Sequence, residues 1–239
     1  MLNAELQGFK EMSKHPTWIL LYKIKWAQLA DVIKLKNLNI LDFGSGFGTT
    51  ANFLAKENIV TAIEPRADMI EMREQENQYT QINGKIEKVR DFPDSTFDVV
   101  ICHNVLEFAL ERAEIVKELS RVLKNGGILS IIKNNGVGRI ISKAVSNEVD
   151  VAMDLLESGH IANVFGTVEL YEAAELVVWG NKLEIIKLLG VQTFYGLQQN
   201  KYVNEPDWID KTFALEMKVA DLEPYKSFAL FHHVLLRKG

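Results

Sequence analysis

Three glycines at alternate positions are the clearest sign of a binding site in this sequence. Gly44, Gly46 and Gly48 follow a short apolar run, and Asp42 and Ser45 lie in the same segment. A glycine-rich turn after a strand lets a ligand approach the backbone at positions where a side chain would collide with it. The spacing therefore predicts a loop that binds a flat or anionic ligand.

Two well-known phosphate-binding loops do not match this spacing. A Rossmann dinucleotide loop has the pattern G-x-G-x-x-G, whereas here Thr49 follows the third glycine, and no Gly-Lys-Ser/Thr of a P-loop is present. Glu64 ends the second predicted strand, and a carboxylate at that position can accept both hydroxyl hydrogens of a ribose in charge-assisted bonds. The loop and Glu64 together predict an adenosine-like nucleoside. For Asp42 two roles stay open, which are a cap on the loop amides and a direct ligand contact.

His103 is the candidate catalytic residue. It ends an apolar strand, and open parallel sheets bind ligands beyond the carboxyl ends of their strands. Its near-neutral pKa suits a base or a substrate contact, with a structural role as the alternative.

Cys102 is expected to be buried in the apolar core. His232 and His233 are consecutive in the last predicted strand, so they face opposite sides and cannot share a metal.

Basic residues after the fifth predicted strand are candidates for substrate binding. Lys133, Arg139 and Lys143 fall within eleven residues, so they can meet a carboxylate or a phosphate; the alternative is an ordinary solvated face.

Aromatic residues are a second set of candidates. Tyr22, Trp18 and Tyr195 can stack on a flat substrate, and for Tyr22 core packing is an equal alternative. Trp26 is expected to pack in the core.

Strands and helices that position these residues alternate along the chain, which predicts an α/β fold with helices on both faces of a parallel sheet. The predicted elements are a helix over 17–35, a strand before Gly44, a helix after Gly48, a strand over 59–63, a helix over 67–76, strands over 79–82 and 97–102, a helix over 112–123 ended by a left-handed turn at 125–127, and a strand over 128–133.

The alternation lapses after Lys133. Residues 134–168 are predicted to be irregular with one helix near 147–156, which indicates a lid or substrate region. The later predicted elements are a helix over 169–178, a strand over 183–194, a helix over 207–221 and a strand over 228–236. We expect one domain over 1–239, with a helical cap (1–36), a cofactor-binding core (37–133), the lid region (134–182) and C-terminal strands with a helix that complete the sheet (183–239).

Composition excludes several functional classes. The chain of 239 residues is 47% hydrophobic and 25% charged, with a net charge of −5 and one cysteine. This acidic balance disfavours duplex DNA, and the cysteine count excludes a disulfide scaffold and structural zinc. The N-terminal residues show no signal-peptide core, and no run of 18 apolar residues occurs. We expect a cytoplasmic protein with no membrane partner and no metal.

The motifs LDFGSGFG, AIEP, FDVVICHNVLEF and ELSRVLKNGGILSII resemble class I S-adenosylmethionine-dependent methyltransferases of the type 11 group over Asn39–Lys133. The resemblance implies a Rossmann-like sheet with an antiparallel C-terminal strand, S-adenosylmethionine as cofactor and S-adenosylhomocysteine as product. It implies that the glycines wrap the methionine and ribose, that Glu64 holds the ribose, and that residues 102–105 line the methionyl side. The cofactor-binding residues expected on these grounds are Asp42, Gly44, Ser45, Gly46, Gly48, Glu64, Pro65, Ile86 and Asn104.

One departure from the family pattern concerns the adenine. Many members have Gly-Asp-Ala after the third strand, where this chain has Asn83-Gly84-Lys85-Ile86. Ile86 can pack on the adenine face, but Lys85 cannot accept a bond from the adenine amino group. Glu87 and Asp91 are the candidate replacements.

A narrower resemblance concerns the acceptor. HNVLEF, SIIKNNGVG and EPYKSFALFHHVLLRK resemble the bacterial tRNA 5-carboxymethoxyuridine methyltransferase family, which esterifies a carboxylate on a wobble uridine. The implied reaction is an in-line methyl transfer to a tRNA or small-molecule acceptor. A carboxylate acceptor needs no general base, whereas a hydroxyl or amine would need His103 or a tyrosine. The competing hypothesis is a catalytically silent cofactor-binding or scaffold protein, to which the Lys85 departure points.

Overall fold

The computed structural model describes residues 2–163, 166–198 and 202–239. Its strands are β1 (Asn39–Phe43), β2 (Ile59–Glu64), β3 (Thr80–Asn83), β4 (Phe97–His103), β5 (Leu123–Asn134), β6 (His160–Asn163), β7 (Gly166–Glu169), β8 (Leu183–Val191) and β9 (Phe231–Lys238). Its helices are α1 (Leu2–Met12), α2 (Pro16–Ala30), α3 (Thr49–Leu54), α4 (Ala67–Glu71), α5 (Ile86–Val89), α6 (Arg112–Val122), α7 (Gly136–Val145), α8 (Val149–Ser158), α9 (Ala173–Trp179), α10 (Trp208–Val219) and α11 (Tyr225–Phe228).

Seven strands form one sheet in the order β3-β2-β1-β4-β5-β9-β8. Neighbours from β3 to β5 are parallel, whereas β9 runs antiparallel to both β5 and β8. The predicted α/β fold, mostly parallel with an antiparallel C-terminal strand, is confirmed. The carboxyl ends of β1, β2, β4, β5 and β8 therefore lie along one side of the sheet, which we call the carboxyl edge.

Both faces of the sheet are covered because its strands are apolar on both sides. On one face, Leu41 and Val100 pack against Leu119 of α6. On the other face, Ile40 and Val99 pack in a cluster with α2 and α3. A third cluster packs the first half of α2 against Val191 at the carboxyl end of β8. Helix α2 thus lies across the sheet and reaches the carboxyl edge.

β5 differs from its prediction, because it begins at Leu123 instead of at residue 128. The glycine turn does not cap α6, since the helix ends at an extended Leu123 that pairs with Phe97 of β4. Gly126 has the left-handed φ of +78° that the turn prediction required. It serves a bulge inside the strand, where the register with β4 shifts.

The lid region contains more regular structure than predicted. The predicted helix near 147–156 corresponds to α8, but α7 and the β6–β7 hairpin were predicted as irregular backbone. Within α7, Gly138 permits close packing of the helix on the chain before β9. A Cβ atom there would lie 2.1 Å from the carbonyl oxygen of Ala229.

Other boundaries shift by several residues. The predicted helix over 67–76 ends at Glu71, and residues 225–228 form the short α11 before the last strand. Among the described residues, no helix combines the length and apolar character needed to cross a membrane.

Candidate functional site

The glycine loop leaves β1 at the carboxyl edge with three left-handed residues. Gly44, Gly46 and Gly48 have φ values of +78°, +55° and +72°. A Cβ atom on Gly44 would lie 2.3 Å from Cγ2 of Val105, and one on Gly48 would lie 2.2 Å from the hydroxyl of Tyr79. Two of the glycines therefore let the loop pack against its own chain.

Gly46 differs from Gly44 and Gly48 because the space that a Cβ atom would occupy is nearly empty. Among the described residues, and apart from the chain neighbours of Gly46, the only atom within 4 Å of that position is the terminal methyl of Met69, at 3.3 Å. The backbone N–H of Gly46 donates to Oε2 of Glu64 at 2.8 Å. Gly46 is thus the position in this loop where a ligand can approach the backbone.

Glu64 ends β2 beside this loop with its carboxylate turned inward. Its Oε1 accepts from the backbone N–H of Arg66 at 3.0 Å, and Pro65 links the two residues. Burial raises the pKa of Glu64, while the N–H groups of Arg66 and Gly46 lower it. Each carboxylate oxygen has a second lone pair, so Glu64 can still accept hydrogen bonds from a diol.

Asp42 and Lys25 are both buried, and each influences the protonation of the other. Burial raises the pKa of Asp42 to about 7, and Lys25 opposes that shift. Burial lowers the pKa of Lys25 to about 8, and Asp42 opposes that shift. The carboxylate of Asp42 accepts from the backbone N–H of Ala51 in α3, while its Oδ2 has no partner. These contacts are compatible with both predicted roles of Asp42, the cap on backbone amides and the ligand contact, and the choice between them stays a prediction.

Three buried polar atoms without hydrogen-bond partners belong to residues at the carboxyl ends of β1 and β4. They are Oδ2 of Asp42, Oγ of Ser45 and Nδ1 of His103. Asn104, which follows β4, has a left-handed φ of +55°. Buried polar groups normally have partners, so these atoms fit a ligand that carries several hydrogen-bond donors and acceptors.

The segment predicted to contact adenine lies at the start of α5. Ile86 is partly buried and packs against the core. Lys85 is exposed, and its backbone N–H donates to Oε1 of Glu87 at 2.9 Å. Glu87 therefore caps its own turn, and Asp91 is exposed. The adenine contact stays a prediction.

The aromatic candidates lie in two places, beside the glycine loop and around a cavity, and Trp18 contributes to both. Tyr22 contacts the rings of Trp18 and Trp26, and Trp26 stacks on Phe53 with ring centroids 3.7 Å apart. Burial raises the pKa of Tyr22 to about 12, and a hydrogen bond to Thr49 opposes that shift. Tyr22 thus lies beside the end of the glycine loop.

A cavity of about 520 Å³ contains the second aromatic group. Trp18 and Tyr195 contribute to its wall, and the hydroxyl of Tyr195 is buried without a partner. The lining residues are Gly8, Glu11, Met12, His15, Thr17, Trp18, Gln192, Tyr195 and Gly196. The cavity lies between the end of α1, the start of α2 and the chain after β8.

Asn134 organises a cluster of charged side chains where β5 ends. Oε1 of Glu107 accepts from its backbone N–H at 2.7 Å and from its side-chain amide at 3.0 Å. Nζ of Lys133 donates to its carbonyl at 3.0 Å, and Nε of Arg139 donates to its Oδ1 at 2.6 Å. Two of the three predicted basic residues, Lys133 and Arg139, are therefore brought together.

Burial dominates the electrostatics of this cluster. It lowers the pKa of Lys133, lowers the pKa of Arg139 to about 10, and raises the pKa of Glu107. Lys133 is only 4% exposed, so the solvated-face alternative is wrong for this residue. Lys143 instead pairs with Glu148 at 2.7 Å.

Oε2 of Glu107 and the hydroxyl of Tyr171 are buried in this region without partners. Nζ of Lys133 lies 5.1 Å from the centre of the Tyr171 ring. Two cations thus lie around one buried carboxylate, an arrangement suited to an anionic ligand.

Cys102, His232 and His233 lie in three different environments. Cys102 is buried in the apolar core, as expected. His233 is buried on the face covered by α2, whereas Nε2 of His232 contacts the carbonyl of Lys226, so the two do not act together. In the part of the chain that the structure describes, no three His, Cys, Asp or Glu side chains are grouped as metal ligands.

Sequence reasoning missed Lys25, Gln28 and Glu107. Lys25 and Gln28 share the buried stripe of α2 with Leu21 and Ile24, so polar residues at apolar positions were a usable signal. Glu107 lies within the apolar segment NVLEF and is 1% exposed.

Comparison with known proteins identifies the segment around this site. Residues 41–131 match the family model described as "Methyltransferase domain". The tRNA 5-carboxymethoxyuridine methyltransferase of Escherichia coli (strain K12) is 23% identical over 216 residues, which covers 85% of this chain and 81% of that protein.

Two further comparisons cover a shorter segment and the fold. A ubiquinone biosynthesis O-methyltransferase of Coxiella burnetii is 26% identical over 115 residues, covering 46% of this chain and 49% of that protein. The crystal structure of an S-adenosylmethionine-dependent methyltransferase from Mesorhizobium loti superimposes with a TM-score of 0.58 at 15% identity, covering 90% of this chain and 98% of that one.

Proposed function

We propose that this chain, which is an S-adenosylmethionine-dependent methyltransferase, esterifies a carboxylate on its acceptor, and that this acceptor is a modified wobble uridine of tRNA. The enzyme class follows from the methyltransferase domain over residues 41–131 and from the fold. The acceptor is inferred from the charged cluster at the end of β5 and from the E. coli relative.

The glycine loop and its neighbours hold the cofactor in this proposal. Glu64 accepts the ribose hydroxyls, Gly46 allows the close approach, and Asp42 and His103 offer unpartnered acceptors beside it. Ser45, Gly44, Gly48, Pro65, Ile86 and Asn104 complete the proposed set. When bound, S-adenosylmethionine supplies an electrophilic methyl group that an anionic oxygen can take without releasing a proton.

The single observation that carries the acceptor assignment is the cationic cluster of Lys133 and Arg139. Asn134 accepts a hydrogen bond from Nε of the Arg139 guanidinium, and the guanidinium carbon lies over the Phe231 ring, 4.6 Å from the ring centroid. A guanidinium has five N–H donors, and two of them in parallel match a carboxylate. Within the described part of the chain, the terminal nitrogens of Arg139 donate no other hydrogen bond, so they are available to a carboxylate.

A carboxylate acceptor also suits the other residues at this edge. Carboxylates are ionised at neutral pH, so the protein has to position the acceptor and does not have to deprotonate it. The aromatic wall of the cavity at Trp18 and Tyr195 can stack on a nucleobase. Residues 134–182 act as the lid in this proposal, and a tRNA acceptor places the enzyme in the cytoplasm.

The test uses S-adenosylmethionine with a radiolabelled methyl group. Purified protein is incubated separately with the tRNA and metabolite fractions of a strain that lacks the gene. We expect label in tRNA that mild alkali removes, because methyl esters hydrolyse under those conditions. Alkali-stable label in tRNA would contradict the carboxylate.

The other outcomes separate the remaining hypotheses. Label in the metabolite fraction alone would make the acceptor a small molecule. Label in neither fraction, with S-adenosylhomocysteine still bound, would favour the silent cofactor-binding protein. Unlabelled tRNA from a strain that carries the gene is the matched control, since its acceptor sites are already methylated.

A further inference from the structure

Four polar side chains form a continuous hydrogen-bonded chain across the sheet. Nε2 of His103 in β4 contacts Oγ of Ser130 in β5 at 2.8 Å, and the same Oγ contacts Nε2 of His233 in β9 at 2.8 Å. Nδ1 of His233 contacts Oε1 of Gln28 at 2.8 Å, and Nε2 of Gln28 donates to the carbonyl of Gly190 at 3.0 Å. The chain connects α2 and β8 to the carboxyl end of β4.

The carbonyl of Gly190 fixes the direction of every hydrogen bond in this chain. A carbonyl only accepts, so the amide nitrogen of Gln28 faces Gly190 and its oxygen faces His233. Nδ1 of His233 must then carry a proton. Burial lowers the pKa of His233 to about 3, so its ring is neutral and Nε2 is a bare acceptor.

The next two bonds follow from that ring. The hydroxyl of Ser130 donates to His233, which leaves the lone pairs of its oxygen to accept from Nε2–H of His103. Burial and the positive charge of Lys25 lower the pKa of His103, so this ring is neutral as well. Its Nδ1 is therefore bare, and that atom is buried without a hydrogen-bond partner among the residues that the structure describes.

The bare nitrogen belongs to a residue at the carboxyl edge. His103 is the last residue of β4. The next residue, Asn104, has a left-handed conformation, and its backbone N–H donates to the carbonyl of Ile132. Oδ2 of Asp42, at the end of neighbouring β1, also lacks a partner. Leaving a buried acceptor unpaired costs free energy, which a ligand with a donor would recover.

We propose that Ser130, His233 and Gln28 are positioning residues that hold His103 as its neutral Nε2–H tautomer, so that its bare Nδ1 accepts a hydrogen bond from an ammonium or hydroxyl group of the bound cofactor. The ligand part of this inference rests on the proposed function, whereas the tautomer is a property of the protein alone. No role for His103 as a proton-removing base is required.

The test reads the ring nitrogens of His103 by long-range 1H–15N NMR of protein labelled with 15N-histidine, with His103→Asn used to assign the signals. In the unliganded protein, we expect Nδ1 of His103 to give the signal of a bare nitrogen and Nε2 that of a protonated one. S-adenosylhomocysteine, which carries the ammonium, should shift Nδ1; methylthioadenosine, which lacks it, should not. A shift with both probes would assign the donor to the ribose.

Variants test the positioning role. Ser130→Ala should mix the two tautomers of His103 and raise the Kd for S-adenosylhomocysteine about tenfold, because one oriented hydrogen bond is lost. Ser130→Thr, which keeps the hydroxyl, should restore both readouts. Ser120→Ala is the matched control, since Ser120 is also buried and accepts from the backbone N–H of Asn181, but lies in α6, which packs on the opposite face of the sheet. It should leave the His103 signals and the Kd unchanged.

Two results would overturn the inference: a protonated Nδ1 in the unliganded protein, or identical His103 signals and Kd in Ser130→Ala. A protein that shows the expected tautomer and binds S-adenosylhomocysteine but methylates no carboxylate would refute only the proposed acceptor. A protein that binds neither probe would refute the ligand part, and its tautomer would still decide the positioning role.

Discussion

Gly46→Val is the substitution that most directly tests the location of the cofactor. Valine keeps the backbone N–H that donates to Glu64, so the change adds only a Cβ and two methyl groups. Among the described residues outside its chain neighbours, the Cβ atom would meet only the flexible end of Met69. Any loss of cofactor affinity beyond the effect on folding therefore reports the ligand's own volume.

The cost to folding follows from the backbone conformation. Gly46 has a φ of +55°, and a side chain in the left-handed region costs about 1–2 kcal/mol. For a chain of this length that corresponds to a Tm lower by about 2–8 °C. Gly126→Val is the matched control. Gly126 is also left-handed, and no described atom lies within 4 Å of the position that its Cβ would take. It lies near the amino end of β5, away from the carboxyl edge.

Both variants should therefore lose similar stability by differential scanning calorimetry without ligand. In calorimetric titration with S-adenosylhomocysteine, Gly46→Val should lose at least about 1.4 kcal/mol of binding free energy, which is tenfold in Kd. Gly126→Val should bind as the wild type does. If Gly46→Val binds within about twofold of wild type, the assignment of the loop as the cofactor site is refuted.

Three further predictions concern charge. Glu64→Gln should raise the Kd for S-adenosylhomocysteine about tenfold through loss of charge-assisted bonds, whereas Glu57→Gln, which changes an exposed ion pair with Lys36, should not; equal titration curves would contradict the ribose role. Arg139→Gln should raise the KM for a carboxylate acceptor about tenfold with little change in kcat, with Lys143→Gln as the control, and an unchanged KM would place the acceptor elsewhere. His233 has its pKa lowered from 6.5 to about 3, so the unfolded chain binds the extra proton in that window and stability falls as pH drops through it. Urea unfolding should show a loss of about 2 kcal/mol between pH 6.5 and 5 that His233→Gln lacks; the same slope in the variant would assign it to other groups.

The sequence alone determined the α/β fold and the location of the glycine loop. Apolar runs that alternate with helical periodicity, together with Gly44, Gly46 and Gly48 after the first strand, are local signals, since the neighbours that decide them lie within a few residues. Local signals failed where a distant contact decided the conformation. Gly138 was interpreted as loop, but it lies in a helix that packs on Ala229.

Only the tertiary structure showed which side chains share one environment. Insertion of β9 between β5 and β8 places His233 beside Ser130, 103 residues earlier in the chain. The crossing of α2 over the sheet brings Lys25 near enough to Asp42 for its charge to affect the pKa of that carboxyl group. Such long-range packing depends on the summed fit of many apolar side chains, so no short motif encodes it. The sequence therefore determined where a cofactor is expected, and the packing decided the protonation of the groups around it.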